Sequence, residues 1–165
     1  SVSVYGPELG TARRLAEGVA LGDLPATDVL VHGGLKVNTN YAGKGPITVG
    51  GRKYERGILM HPAATPEGGR ARATWELAGG LAKAARFHAV VGLDAGGAAG
   101  SVTFIVEVER GGKWERVYES PVLKGFETRE VSVEIAGARS LRLVTTDGGD
   151  NGNSDHAAWA DATLR

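Results

Sequence analysis

The chain has 165 residues and no cysteine, and its 19 Lys plus Arg balance its 19 Asp plus Glu. That length suits one domain with a single sizeable core, and the balanced charge removes the field that would draw the domain onto nucleic acid or an anionic membrane surface. The absence of cysteine excludes a disulfide framework, a thiolate metal site and a cysteine nucleophile. The 26 glycines fall between short apolar stretches without a fixed period, which predicts many turns rather than a solenoid.

Residues 1–18 read as a linker or edge segment, with a short helix expected over Thr11 to Glu17 behind Thr11 as N-cap. The chain starts at Ser1 without an initiator Met, as a trimmed or mature fragment does. Residues 19–165 read as the folded domain. Strands are expected at Val29 to His32, Ile47 to Val49 and Gly57 to His61. Arg70 to Leu77 is the clearest one, because Ala71, Ala73, Trp75 and Leu77 alternate with Arg70, Arg72, Thr74 and Glu76. A second short helix is expected over the Ala-rich Leu81 to Ala85. Strands follow at Phe87 to Leu93 and Ser101 to Glu109, the latter turned at Gly111-Gly112 into Lys113 to Glu119 as a hairpin. Val131 to Ile135, Leu141 to Thr146 and Ala157 to Leu164 complete the set. Such spacing favours two packed antiparallel sheets over a parallel α/β sheet, with Trp75, Phe87, Val91, Phe104, Val106 and Leu143 in the core.

The most polar segment, Asp147 to His156, joins two of these strands. Asp147, Asp150, Asn151, Asn153 and Asp155 offer the dense oxygen ligands that a hard cation such as Ca2+ takes, although Asp, Asn and Gly are also simply the residues of exposed loops. Its order does not fit an EF-hand. None of His32, His61, His88 and His156 stands at the spacing of a zinc protease helix. Ser154, Asp155 and His156 are contiguous, so they point in different directions and cannot form a catalytic relay. Acidic residues are numerous enough that a glycosidase pair could always be chosen, and a sandwich of this size has little material for an enclosing cleft. Sugar recognition needs less: an aromatic face and a few fixed polar groups, carried on loops. Trp159 is either the core residue of the last strand or a wall of the polar loop.

The run Ile47-Thr48-Val49-Gly50-Gly51-Arg52-Lys53-Tyr54-Glu55-Arg56-Gly57-Ile58-Leu59-Met60-His61-Pro62 resembles a motif of the NPCBM/NEW2 family, carbohydrate-binding module family 51. Phe87 to Asp94, Ser101 to Phe104, Gly137 to Val144 and Asp155 to Ala162 fall in the same order, so the likeness extends over about Val19 to Arg165. The resemblance implies an all-β, jelly-roll-like (galactose-binding-like) antiparallel sandwich without catalytic activity. It implies binding of terminal galactose-type glycans and a secreted, extracellular or periplasmic bacterial parent protein, often with an appended glycoside hydrolase. It also makes a bound Ca2+ plausible, for which Asp147, Asp150 and Asp155 are the candidate ligands. Matched residue by residue, His61, Asp94, His156 and Trp159 are the candidate sugar contacts. Ala95 and Ala158 depart from the acids that the family often carries there. A sandwich that serves structure or protein interaction, having lost sugar binding, is the alternative these departures accommodate.

Overall fold

The computed structural model describes residues 15–63, 65–96, 99–150 and 155–165. In chain order its strands are β1 (Val19–Ala20), β2 (Thr27–Leu30), β3 (Lys36–Val37), β4 (Ile47–Val49), β5 (Arg52–Tyr54), β6 (Gly57–Met60) and β7 (Arg70–Glu76). They continue as β8 (Arg86–Leu93), β9 (Ser101–Arg110), β10 (Lys113–Glu119), β11 (Leu123–Lys124), β12 (Thr128–Glu134), β13 (Ser140–Thr146) and β14 (Ala157–Leu164). All pair antiparallel. One sheet runs β12-β8-β14-β6-β3, with β1 on the far end of β14; the other runs β10-β9-β13-β7-β2, with β11 on the start of β9. The fold is therefore the antiparallel sandwich that the alternation predicts.

Inward-facing residues of both sheets make one core, in which Trp75, Phe87, Val91, Phe104, Val106 and Leu143 are all buried, as expected. Each large apolar side chain taken out of water contributes roughly 1.5–3 kcal/mol, which makes this layer the main source of stability. Trp75 also donates its indole N–H to the Leu24 carbonyl at 3.3 Å.

The elements differ from expectation where the apolar signal is thin. Strand β12 starts at Thr128 rather than Val131, because it is an edge strand whose first residues, Thr128, Arg129 and Glu130, are polar and face outward or sideways. Strand β2 is Thr27–Leu30, ending two residues before His32. The Ala-rich stretch forms only a 3-10 turn at Gly79–Lys83, and Ala84 is already extended. Residues 15–17 are helical, and Leu15 packs into the core; Thr11 lies outside the described residues.

A two-stranded ribbon, β4 with β5, lies on the outer face of the first sheet. Small residues make room for it. A Cβ on Gly57 would stand 2.8 Å from the Trp159 carbonyl oxygen and 2.8 Å from Ile47 Cδ1, and one on Gly92 would stand 2.8 Å from Val49 Cγ1. Ile47 and Val49 thus close on Ala158 and Ala160 as a second small core. This contact sets the position of Thr48 at the sheet's end.

Candidate functional site

Strand alternation decides which way the polar residues at the sheet's end point. In β14, Ala157 and Trp159 face the main core and Ala158 and Ala160 face the ribbon, so one step before the strand His156 falls on the ribbon side. Register then places its neighbours. Ala157 pairs with Leu93 of β8 and Met60 of β6, so the next residues out, Asp94 and His61, flank His156 in one row across three adjacent strands. The Asp94 N–H donates to the His156 carbonyl at 2.8 Å, which continues the ladder into this row.

Asp94 Oδ1 accepts from the Thr48 N–H at 2.8 Å, so the ribbon and the row are tied together. Its second carboxylate oxygen has no protein partner among the described residues. Burial raises the Asp94 pKa, while the Thr48 hydrogen bond and nearby His156 pull it down. The His156 ring stacks on Tyr41, with centroids 4.3 Å apart and planes 13° apart. Burial lowers its pKa, opposed by Asp94, which favours the neutral imidazole with one donor and one acceptor.

His61 sits edge-on to three rings: His32 at 5.0 Å, Tyr41 at 5.2 Å and His156 at 5.0 Å. Its pKa is pushed down to about 4, first by burial and then by His156 and His32, with the Asp155 backbone pulling the other way. The Ala63 N–H donates to His61 Nδ1 at 3.4 Å, so this imidazole is a neutral, oriented wall of the site.

Asp155 has the opposite parity to His156 and turns inward, where it is fully buried. Its Oδ1 accepts from the Ser101 N–H at 2.8 Å. Its Oδ2 is buried with no hydrogen-bond partner among the described residues. The pKa is raised to about 7, chiefly by burial, with Asp150 and Asp147 adding to the rise against the Ser101 hydrogen bond. Ser101 Oγ donates to Asp150 Oδ2 at 2.5 Å and lies 3.4 Å from the Asp147 carbonyl oxygen, fastening the acidic loop to the start of β9. Among the described residues no three acidic or histidine side chains converge closely enough to hold a metal by themselves. Asn151 and Asn153 lie outside the described residues.

Of the expected sugar contacts, His61, Asp94 and His156 are brought together. Trp159 is not with them. It is fully buried between the sheets, against Phe104 at 5.1 Å and Phe87 at 6.1 Å, so it is a core residue and no ligand reaches it. Trp159 shares with Ala157 the side of β14 that faces the main core, which decides between the two alternatives. The sequence reading missed Tyr41, His32, Thr48 and Ser101, which lie in turns or carry their role on the backbone.

A second polar surface lies on the outer face of the other sheet. There Arg72 pairs with Asp28 at 2.9 Å and with Glu67, and Arg142 pairs with Glu107 at 3.0 Å. The acids and bases there compensate one another.

The family model of the NPCBM/NEW2 domain matches residues 18–165. The chain belongs to the NPCBM/NEW2 family. Among solved structures, the CBM51 of Clostridium perfringens GH95 in complex with methyl-galactose is 28% identical, with a TM-score of 0.76, and the match covers 90% of this chain and 99% of that one. The CBM51-2 and INT domains of Clostridium perfringens ZmpB share 22% identity and a TM-score of 0.75 over 90% of this chain. This chain spans 31% of that one, and 46% of the tandem CBM51 modules of Sp3GH98 from Streptococcus pneumoniae, to which it is 18% identical with a TM-score of 0.70. No curated protein sequence matches the chain. The NPCBM domain here is thus a module-sized unit with the sandwich of its relatives.

Proposed function

We propose that this NPCBM domain is a non-catalytic carbohydrate-binding module that holds a terminal galactose-type sugar at its loop end and tethers a parent chain to glycans outside the cell. The observation that carries this is the row Asp94, His156 and His61 at the ends of three adjacent strands, with the aromatic Tyr41 against it. Galactose presents an axial hydroxyl beside an equatorial one. A carboxylate oxygen and a neutral imidazole set side by side can grip such a pair together, whereas the equatorial 4-hydroxyl of glucose points in a different direction from the same ring. The methyl-galactose complex of the 28% identical relative supports the same class of ligand. The family match supports the non-catalytic reading. Asp94 and Asp155 each hold a backbone N–H and thereby support loops.

Within the same reading we propose Ca2+ as a ligand of Asp155, Asp147 and Asp150, whose carboxylates do not converge on one point here and would have to close around the ion. A hard cation takes oxygen donors, and the orphaned, buried Asp155 Oδ2 is an oxygen that such an ion would satisfy. The ion would supply charge neutralisation to the acidic loop and hold it against Ser101.

A hexose has about a dozen heavy atoms, and at about −0.3 to −0.5 kcal/mol each its binding free energy is about −4 to −6 kcal/mol, or a Kd from about 1 mM down to some tens of μM. Calorimetry with methyl galactoside should give a Kd in that range and a clearly weaker one for methyl glucoside. Equal affinities would remove the galactose assignment, and no heat with either sugar or with galactose-terminated oligosaccharides would remove the sugar-binding reading.

A further inference from the structure

We propose that Phe126 is the aromatic platform of this site and stacks on the apolar face of the galactose-type sugar; the inference rests on the sugar-binding reading above and names a residue that reading does not use. Strand β12 pairs with β8 in the register Thr128 to Gly92. Just before that strand the chain turns at Gly125 and Phe126, on the end of the sheet where β8 runs out into Asp94. Phe126 therefore stands at the same end of the first sheet as Asp94, His156 and His61, which follow or precede β8, β14 and β6.

The contacts agree with that placement. A Cβ on Gly96, two residues beyond Asp94, would meet Phe126 Cζ at 2.7 Å and its Cε1 at 2.8 Å, so the tip of the ring rests on a backbone that only glycine leaves bare. Gly96 also has φ of 76°, a conformation that suits glycine. Seated by its tip, the ring remains 67% exposed. A phenylalanine that open has surrendered little of its apolar surface to the fold.

The axial hydroxyl of galactose leaves the hydrogens of C3, C4 and C5 together on one face, which suits an aromatic ring, while the hydroxyls turn towards Asp94 and His156. Trp114, the other exposed Phe or Trp among the described residues, is a weaker candidate, because the Arg142 guanidinium already lies 3.8 Å from its ring centroid.

The test is NMR titration of methyl galactoside into the wild-type domain, Phe126→Ala and Phe126→Trp, with thermal melts of all three. Phe126→Ala should weaken binding at least about tenfold while Tm stays unchanged, Phe126→Trp should retain binding, and the sugar's H3, H4 and H5 should move upfield with the wild type and Phe126→Trp. Wild-type affinity in Phe126→Ala, or bound-sugar protons without an upfield shift, would overturn the platform while leaving the sugar-binding reading intact. A wild-type domain that binds no galactoside would overturn both.

Discussion

The His61 ring interacts with the Asp155 backbone at the sandwich end, yet the two side chains resist ionisation in opposite senses. Asp155, raised from 3.8 to about 7, keeps its proton in the folded chain where the unfolded chain has released it, so its contribution to stability shrinks as pH rises through that window. His61, lowered from 6.5 to about 4, declines a proton that the unfolded chain takes up. Its contribution is full above about pH 6.5 and shrinks as pH falls towards 4. In a chelating buffer the two slopes therefore oppose each other in the wild type. Replacing Asp155 by Asn should leave the His61 slope, so that the variant gains stability relative to wild type between pH 4 and 7, read from denaturant unfolding at each pH. Excess Ca2+ at pH 7.5 should raise the Tm of the wild type more than that of the variant, since an ion bound only by the folded state stabilises it by mass action. A parallel pH profile for the two proteins, together with no calcium effect on either, would contradict this account of Asp155.

Strand parity governs the middle scale. His156 and Asp155 are neighbours in sequence, but the two-residue period of β14 sends one to the ribbon side and the other inward. The row that results was legible in part. His61, Asp94 and His156 were each placed at a strand end from pattern and resemblance, whereas their alignment required the pairing of β6, β14 and β8, which no single strand reveals. Trp159 was undecided for the same reason, because either face of a strand covered on both sides can take an aromatic. Phe126 and Tyr41 lie in turns, where hydrophobic period gives no signal at all. Ribbon β4–β5 depends on the small residues beneath it. Gly57→Ala should thus cost about 1–3 kcal/mol, since the added methyl would press on the Trp159 carbonyl and on Ile47. Stability equal to wild type in urea unfolding would show that the ribbon does not pack on β6 as described.

For the molecule as a whole, the sandwich separates its two tasks. Sheet-on-sheet packing supplies most of the stability, and exposed side chains at the loop end such as Phe126 contribute little to it, so substitutions there can change binding without unfolding the domain. Alternating runs such as Arg70 to Leu77 made the architecture readable, since a half-buried strand announces its buried face directly. Short strands such as β1, β3 and β11 hold too few residues to show a period, and only the folded chain reveals them. The two polar surfaces, the loop-end row and the compensated Arg and acid network on the outer face of the second sheet, lie on different parts of the molecule. That separation allows the central claim to be tested by location. In a 15N-labelled domain titrated with methyl galactoside to millimolar concentration, the backbone amide shifts should concentrate at His61, Asp94 to Gly96, Phe126 and Asp155 to Ala157. Shifts concentrated instead at Arg72, Glu107 and Arg142, or an unchanged spectrum at saturating sugar, would contradict it.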